Sequence, residues 1–258
     1  MRAAELFDLT GQVALVTGAS SGLGHHFAQV LAANGAAVVL VARRADRLAE
    51  LKMLIDHEGG SALAVEADVL DHAAMRLAFD AAERAFGTVT ILVNNAGISH
   101  RGRAVDMAEA DWRRVLATNL DAVFLWAQEA ARRMLAANKR GAIVNVASIL
   151  GFAVAKGTVA YATAKAGVVQ LTKALALELA FQGVRVNAIA PGYIVTDLNR
   201  DYLAGQGAQM TREIPAGRFG EERDLDGALL LLVSAAGSYM AGTTVVVDGG
   251  HMLALRGT

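Results

Sequence analysis

The chain has 258 residues, 54% of them apolar, with 24 basic and 25 acidic side chains giving a formal net charge of −1, and no cysteine. That length suits one large α/β domain or two small ones, and the apolar fraction is enough for a substantial core. Dispersed, near-zero charge argues against nucleic acid or an anionic membrane as the main partner; the lack of cysteine excludes disulfides, thiolate metal sites and thiol nucleophiles.

The opening MRAAELFDLTGQ carries two acids in its first eight residues and no apolar signal-like run, so a cytoplasmic protein is expected. The longest clean apolar run, at 228–236, falls well short of a membrane helix. The first strand-like run, VALVT at 13–17, leads into TGASSGLG and a helical pattern over 23–34. Gly18, Gly22 and Gly24 stand as GxxxGxG, where glycines permit a tight turn and a close backbone approach to phosphate. The helix that follows offers its first N–H groups to an anion.

A second run, AVVLVA at 37–42, is followed by Arg43, Arg44 and a helix over 46–57. An NAD site normally has an acid about 20 residues past the glycine turn, to hold the ribose hydroxyls. Here no acid precedes Asp46. Two guanidinium groups suit a 2′-phosphate instead. A solvated arginine pair opening a helix is the plainer reading, but the upstream glycine turn favours NADP(H) over NAD(H).

Further strands are expected at 62–67, 89–94, 142–147, 184–190 and 243–249, and helices at 72–86, 107–137, 158–181 and 222–235. Nearly continuous apolar strands alternating with helices predict a doubly wound α/β fold, a parallel sheet of seven strands covered on both faces. No linker divides the chain, so a single domain over 1–258 is the economical reading. Residues 191–221 hold both prolines and five glycines and break the alternation. They leave the carboxyl end of the sixth strand, where ligands bind in open α/β sheets, so a substrate lid is expected there. The alternative is a loop with no role.

Ser148, Tyr161 and Lys165 form the spacing Ser-x12-Tyr-x3-Lys. Tyr161 and Lys165 stand at i and i+4 on a predicted helix and so share one face. An ammonium beside a phenol favours the phenolate and is expected to draw its pKa down from about 10. Ser148 ends the strand AIVNVAS and brings a hydroxyl towards the same place. Alone, the pattern is also compatible with a surface Tyr–Lys pair and an unrelated serine.

Taken together these residues resemble the short-chain dehydrogenase/reductase family in its form of roughly 250 residues. The likeness covers essentially the whole chain: TGASSGLG, Asp68 in EADV, NNAG at 94–97, Asn119, Ser148, YATAK at 161–165 and PGYIVT at 191–196. It implies a Rossmann-type sheet and a catalytic set of Asn119, Ser148, Tyr161 and Lys165. Tyr161 would be the acid–base group, Ser148 would bond the substrate oxygen and Lys165 the nicotinamide ribose. Asn119 would hold a water joining the lysine to solvent; a mid-helix asparagine otherwise has low propensity. The resemblance assigns Gly18, Ser20, Ser21, Gly22, Leu23 and Gly24 to the phosphates and adenosine ribose, and Asp68 and Val69 to adenine. Asn95, Ala96 and Gly97 would line the adenosine and ribose, with Asn95 bracing the central strand. Pro191, Gly192, Ile194 and Thr196 would bracket the nicotinamide, with Tyr161 and Lys165 also touching the cofactor.

The expected activity is NADPH-dependent reduction of a ketone, reversible to secondary-alcohol oxidation, on a 3-oxoacyl or sugar/polyol substrate. An NAD-dependent alcohol dehydrogenase and a non-catalytic dinucleotide sensor are the alternatives; the intact Tyr161 and Lys165 argue against the sensor. Gly151, Phe152, Val154, Tyr193 and Leu198 suggest a partly apolar substrate pocket. The apolar stretches 107–137 and 158–181 point to an oligomer, and relatives commonly form tetramers, so a homotetramer is expected with a dimer as runner-up. His25 and His26 diverge by about 100° on a helix and cannot chelate a metal together. His100, Arg101 and Arg103 are expected at the surface, His251 at a subunit contact, Trp112 and Trp126 in a core or interface. Arg132, Arg133, Lys139 and Arg140 should solvate a helix end.

Overall fold

A computed structural model describes residues 2–196, 207 and 210–253. Its strands are β1 (Val13–Thr17), β2 (Ala37–Ala42), β3 (Ser61–Glu66), β4 (Ile91–Asn94), β5 (Gly141–Val146), β6 (Val184–Pro191) and β7 (Thr244–Val247). All run parallel in the order β3-β2-β1-β4-β5-β6-β7. Strand β1 pairs with both β2 and β4, so the winding reverses there and a crevice opens beyond their carboxyl ends.

The helices are α1 (Ala3–Phe7), α2 (Gly22–Ala33), α3 (Ala45–His57), α4 (His72–Ala85), α5 (Glu109–Leu116), α6 (Ala122–Ala136), α7 (Val159–Leu179) and α8 (Asp226–Val233). β1 and β2 match expectation to the residue. β4 starts two residues late because the Thr90 hydroxyl takes over a ladder position, accepting from Val13 N at 3.2 Å. The stretch 107–137 is one helical path but not one α-helix. A π-helical turn, Ala117–Asp121, separates α5 from α6.

The apolar faces of α2, α3 and α8 meet one side of the sheet around Phe27, Leu31, Leu40, Leu48, Leu51, Ile55 and Leu229. Each such side chain, fully buried, stabilises the fold by about 1.5–3 kcal/mol. Helices α4, α6 and α7 cover the other side around Phe79, Trp126, Met134 and Ile143. Trp126 is a core residue: its Nε1 donates to Val69 O at 3.0 Å and its ring lies 5.7 Å from that of Phe79.

One expectation is corrected here. Arg133 does not simply solvate a helix end; it is 17% exposed and bonds Glu129, Asp80 and Glu83 at 2.7–2.9 Å, clamping α6 to α4. Among the described residues, no helix is long and apolar enough to cross a membrane, and no cluster of acidic or histidine side chains could hold a metal.

Candidate active site

The crevice floor is made where β1 and β4 end. Thr17 Oγ1 accepts from Asn95 N at 3.0 Å and Ala96 N at 3.1 Å, and Asn95 Nδ2 donates to Thr17 O at 3.0 Å. The glycine turn and the NNAG segment are thus packed back to back. Gly18 has φ +70°, and a Cβ there would lie 2.9 Å from Ala96 Cα; a Cβ on Gly24 would collide with Gly18 O and Asn95 Nδ2. Only glycine fits either position. Thr17, which joins the two segments, opens the TGASSGLG motif, but the motif itself gives no sign of this link.

Ser21 is the N-cap of α2 and makes no side-chain cap of its own, so the first-turn N–H groups stay available to an anion. Gly22 (φ +54°) faces Thr196 from across the crevice, with a built Cβ 3.5 Å from Thr196 Cβ. Arg44 lies against the glycine turn: its Nε and Nη2 donate to Ser20 Oγ at 3.1 and 2.9 Å, and Nη2 donates to Ser21 Oγ at 2.6 Å. Arg43 is 74% exposed, its Nη1 3.7 Å from Asp68 Oδ2. The arginine pair therefore divides. Arg44 is docked and Arg43 reaches towards Asp68. Glycine backbone, helix N-terminus and cationic rim together fit a dinucleotide carrying phosphate.

Asn119 sits inside the π-helical turn, fully buried. Its Oδ1 accepts from Ile98 N and its Nδ2 donates to Ile98 O, both at 2.8 Å. That amide pairing, just past Gly97, supplies the reason for a poor helix former in mid-helix. π-Turns concentrate at functional sites.

Ser148 follows β5 and heads a short turn, Ile149–Gly151; its Oγ accepts from Leu150 N at 3.1 Å and it hydrogen-bonds the Tyr161 side chain. Lys165 is buried on α7, with Nζ donating to Val146 O at 2.6 Å and lying 5.6 Å from the centre of the Tyr161 ring. Burial draws the Lys165 ammonium down to about 8. Burial pushes the Tyr161 phenol up, against a smaller opposing effect of the Ser148 hydrogen bond. The expected depression of the phenol by the lysine is thus corrected. The ammonium is turned to the Val146 carbonyl, and desolvation of the phenolate prevails.

Beyond β6, Gly192 N donates to Val247 O at 2.9 Å, and Val195 N to Gly220 O at 2.8 Å. Ile194 forms a parallel bridge with Gly220. The stem 191–196 is therefore tied to β7 and to the returning chain; residues 197–206, 208 and 209 of the expected lid, Leu198 among them, lie outside the described residues. Gly151 packs on α7, and Phe152 and Val154 are exposed.

His26 Nε2 lies 2.6 Å from Asp226 Oδ1, joining α2 to α8. His100 is partly buried near Asp111, Arg103 pairs with Asp106 at the surface, and Trp112 is half-buried. His251 lies against the Tyr193 ring, 5.4 Å between centres.

A model of the short chain dehydrogenase family matches residues 12–207. Galactitol 2-dehydrogenase (L-tagatose-forming) of Cereibacter sphaeroides is 42% identical, over 95% of this chain and 97% of that one. The 3-oxoacyl-acyl-carrier-protein reductase of Escherichia coli is 35% identical over 94% and 98%. A gluconate 5-dehydrogenase of Burkholderia cenocepacia, solved with NADP and tartrate, superposes with a TM-score of 0.93 at 38% identity over 98% and 100%. The chain belongs to the short-chain dehydrogenase/reductase family of dinucleotide-binding oxidoreductases, enzymes that act on alcohols and ketones.

Proposed function

We propose that this protein is an NADP(H)-dependent oxidoreductase that interconverts a ketone and a secondary alcohol on a sugar or polyol, with a 3-oxoacyl thioester as the second substrate class. The observation that carries the reading is the convergence of Ser148, Tyr161 and Lys165 at the carboxyl edge of the sheet. The similarity to a galactitol dehydrogenase and to a gluconate dehydrogenase supports the polyol class first.

Gly18, Ser20, Ser21, Gly22, Leu23 and Gly24 would hold the phosphates, Arg43 and Arg44 the 2′-phosphate, and Asp68 and Val69 the adenine. Asn95, Ala96 and Gly97 would line the ribose, and Pro191, Gly192, Ile194 and Thr196 the carboxamide. Bound there, the nicotinamide would supply or accept the hydride. Tyr161 gives a proton to the carbonyl oxygen in reduction and takes one from the hydroxyl in oxidation. Burial favours the protonated phenol, which suits the acid role in reduction. Ser148 donates to the same substrate oxygen as charge develops on it. Lys165, its Nζ 5.6 Å from the centre of the Tyr161 ring, would hold the nicotinamide ribose. Asn119 orders a water between Lys165 and solvent.

An NAD-dependent alcohol dehydrogenase is the second reading, disfavoured by the absence of an acid at Ala42–Arg44. The assembly is a homotetramer, with a dimer as runner-up, supported by exposed Phe124 on α6, Leu177 on α7 and Val246 on the edge strand β7. The site of action is the cytoplasm.

The test follows reduced-nicotinamide absorbance with NADP(H) and NAD(H) in parallel. Its panel holds polyols, sugar acids, their ketoses and acetoacetyl thioesters. Turnover of a polyol–ketose pair with NADP(H) is the expected result. Turnover of thioesters alone would move the substrate class, and a preference for NAD(H) would overturn the cofactor assignment.

A further inference from the structure

Behind the candidate catalytic residues runs a file of buried side chains that the reaction itself does not use. Asn94 on β4 and Asn145 on β5 are register partners. Asn94 Nδ2 donates to Val123 O of α6 at 3.1 Å and to Asn145 Oδ1 at 3.0 Å. Asn145 Nδ2 donates to Thr172 Oγ1 on α7 at 3.0 Å, and Thr172 Oγ1 donates to Val168 O at 2.8 Å. Asn145 and Thr172 are 0% exposed and Asn94 is 3%.

The file touches each element that carries a candidate catalytic group. Val123 lies one turn past Asn119, Asn145 three residues before Ser148, and Thr172 two helical turns past Lys165 on the same face. Val146, next to Asn145, holds Lys165 through its carbonyl. We propose that Asn94, Asn145 and Thr172 are positioning residues, fixing α7 in one register against β5 and β4 so that Tyr161 and Lys165 meet Ser148.

The packing explains why such a device is needed. The buried side of α7 is made of Ala160, Ala162, Ala164, Val168, Val169 and Ala176 beside Lys165 and Thr172, so most of its apolar side chains are small. Small side chains give shallow ridges, and apolar burial has no preferred direction. A helix with that surface can slide or roll by a fraction of an ångström at little cost. Hydrogen bonds cannot follow such a slide, because they weaken steeply off their preferred geometry, and a buried partner left unpaired costs about 1–3 kcal/mol. A misplacement of about 1 Å at reacting groups can cost a hundredfold in rate.

The inference rests on the roles proposed above for Tyr161 and Lys165, so its test includes a readout that does not need turnover. Thr172→Ala and Thr172→Ser both lose the methyl group, and only the serine keeps the hydroxyl. Thr172→Ser should retain kcat within about threefold of wild type, while Thr172→Ala should lose about ten- to a hundredfold in kcat with KM for cofactor nearly unchanged. The pH midpoint of kcat should move in the alanine variant alone. Ultraviolet titration of the phenols, with Tyr161→Phe to assign the signal, should show the same contrast without substrate. Equal kcat, pH profile and phenol titration in the two variants, with only Tm differing, would overturn the proposal. A wild type that turns over no ketone or alcohol would refute the proposed function, and the phenol titration would still decide the positioning role.

Discussion

Under α2, α3 and α8 the sheet is packed by Leu31, Leu40, Leu48, Leu51 and Ile55, whereas under α6 and α7 it also buries Asn94, Asn119, Asn145, Lys165 and Thr172. The first face holds the fold together mainly by area, in which direction matters little, with fully buried Asn187 on β6, bonded to Met240 O and Thr243 N, as its polar exception. The second accepts desolvated polar groups, each of which must find a partner, and in exchange points side chains one way. Stability and chemistry are in this sense assigned to opposite sides of one sheet.

That division can be broken or sharpened by substitution. Tyr161→Phe, on the polar side, should lower turnover by about 10²–10⁴-fold with cofactor affinity kept; titrating cofactor binding beside the rate separates the two. Leu51→Ala, on the apolar side, should cost about 2–5 kcal/mol in denaturant unfolding while kcat per folded molecule stays at the wild-type value. A matching loss of kcat would show that the faces are not independent.

Lys165→Met should do the reverse. The folded pKa of about 8 lies below the unfolded value of 10.5, so the folded state resists protonation. The penalty is fully present below pH 8 and fades as pH rises from about 8 towards 10.5. After allowing for the lost bond to Val146, the variant should be about 2 kcal/mol more stable at pH 7 and inactive. Its advantage should vanish in unfolding curves taken above about pH 10. Smallest, Arg43→Ala with Arg44→Ala should weaken NADPH binding about 10–100-fold and leave NADH within about threefold; unchanged NADPH affinity would sink the 2′-phosphate assignment.

Much of the apolar side was legible in the sequence, because strand and helix periodicity is local: β1 and β2 fall where VALVT and AVVLVA stand. The glycine turn and the Ser148, Tyr161, Lys165 spacing were legible for the same reason. What could not be read is long-range. Thr17 reaches Asn95 across 78 residues, Asn94 reaches Asn145 across 51, and Arg133 reaches Asp80 across 53. No pattern in one segment announces such partners. The direction of the Tyr161 shift was also misjudged, since spacing gives the neighbour on a helix face but neither the depth of burial nor the Val146 carbonyl that turns the ammonium aside.

The π-helical turn has a consequence for how this gene can vary. Ala117–Asp121 uses more residues per turn than the α-helices flanking it. The turn holds one residue more than an α-helical turn would, so losing a single codon there would close it to an ordinary α-turn and keep α5 and α6 in register. Trp126 would keep Val69 and Phe79 and Val123 would keep Asn94, while Asn119, inside the turn, would part from Ile98. A stretch that looks like ordinary helix thus spends one extra residue to seat a buried amide at the site, and the helices around it do not depend on that residue.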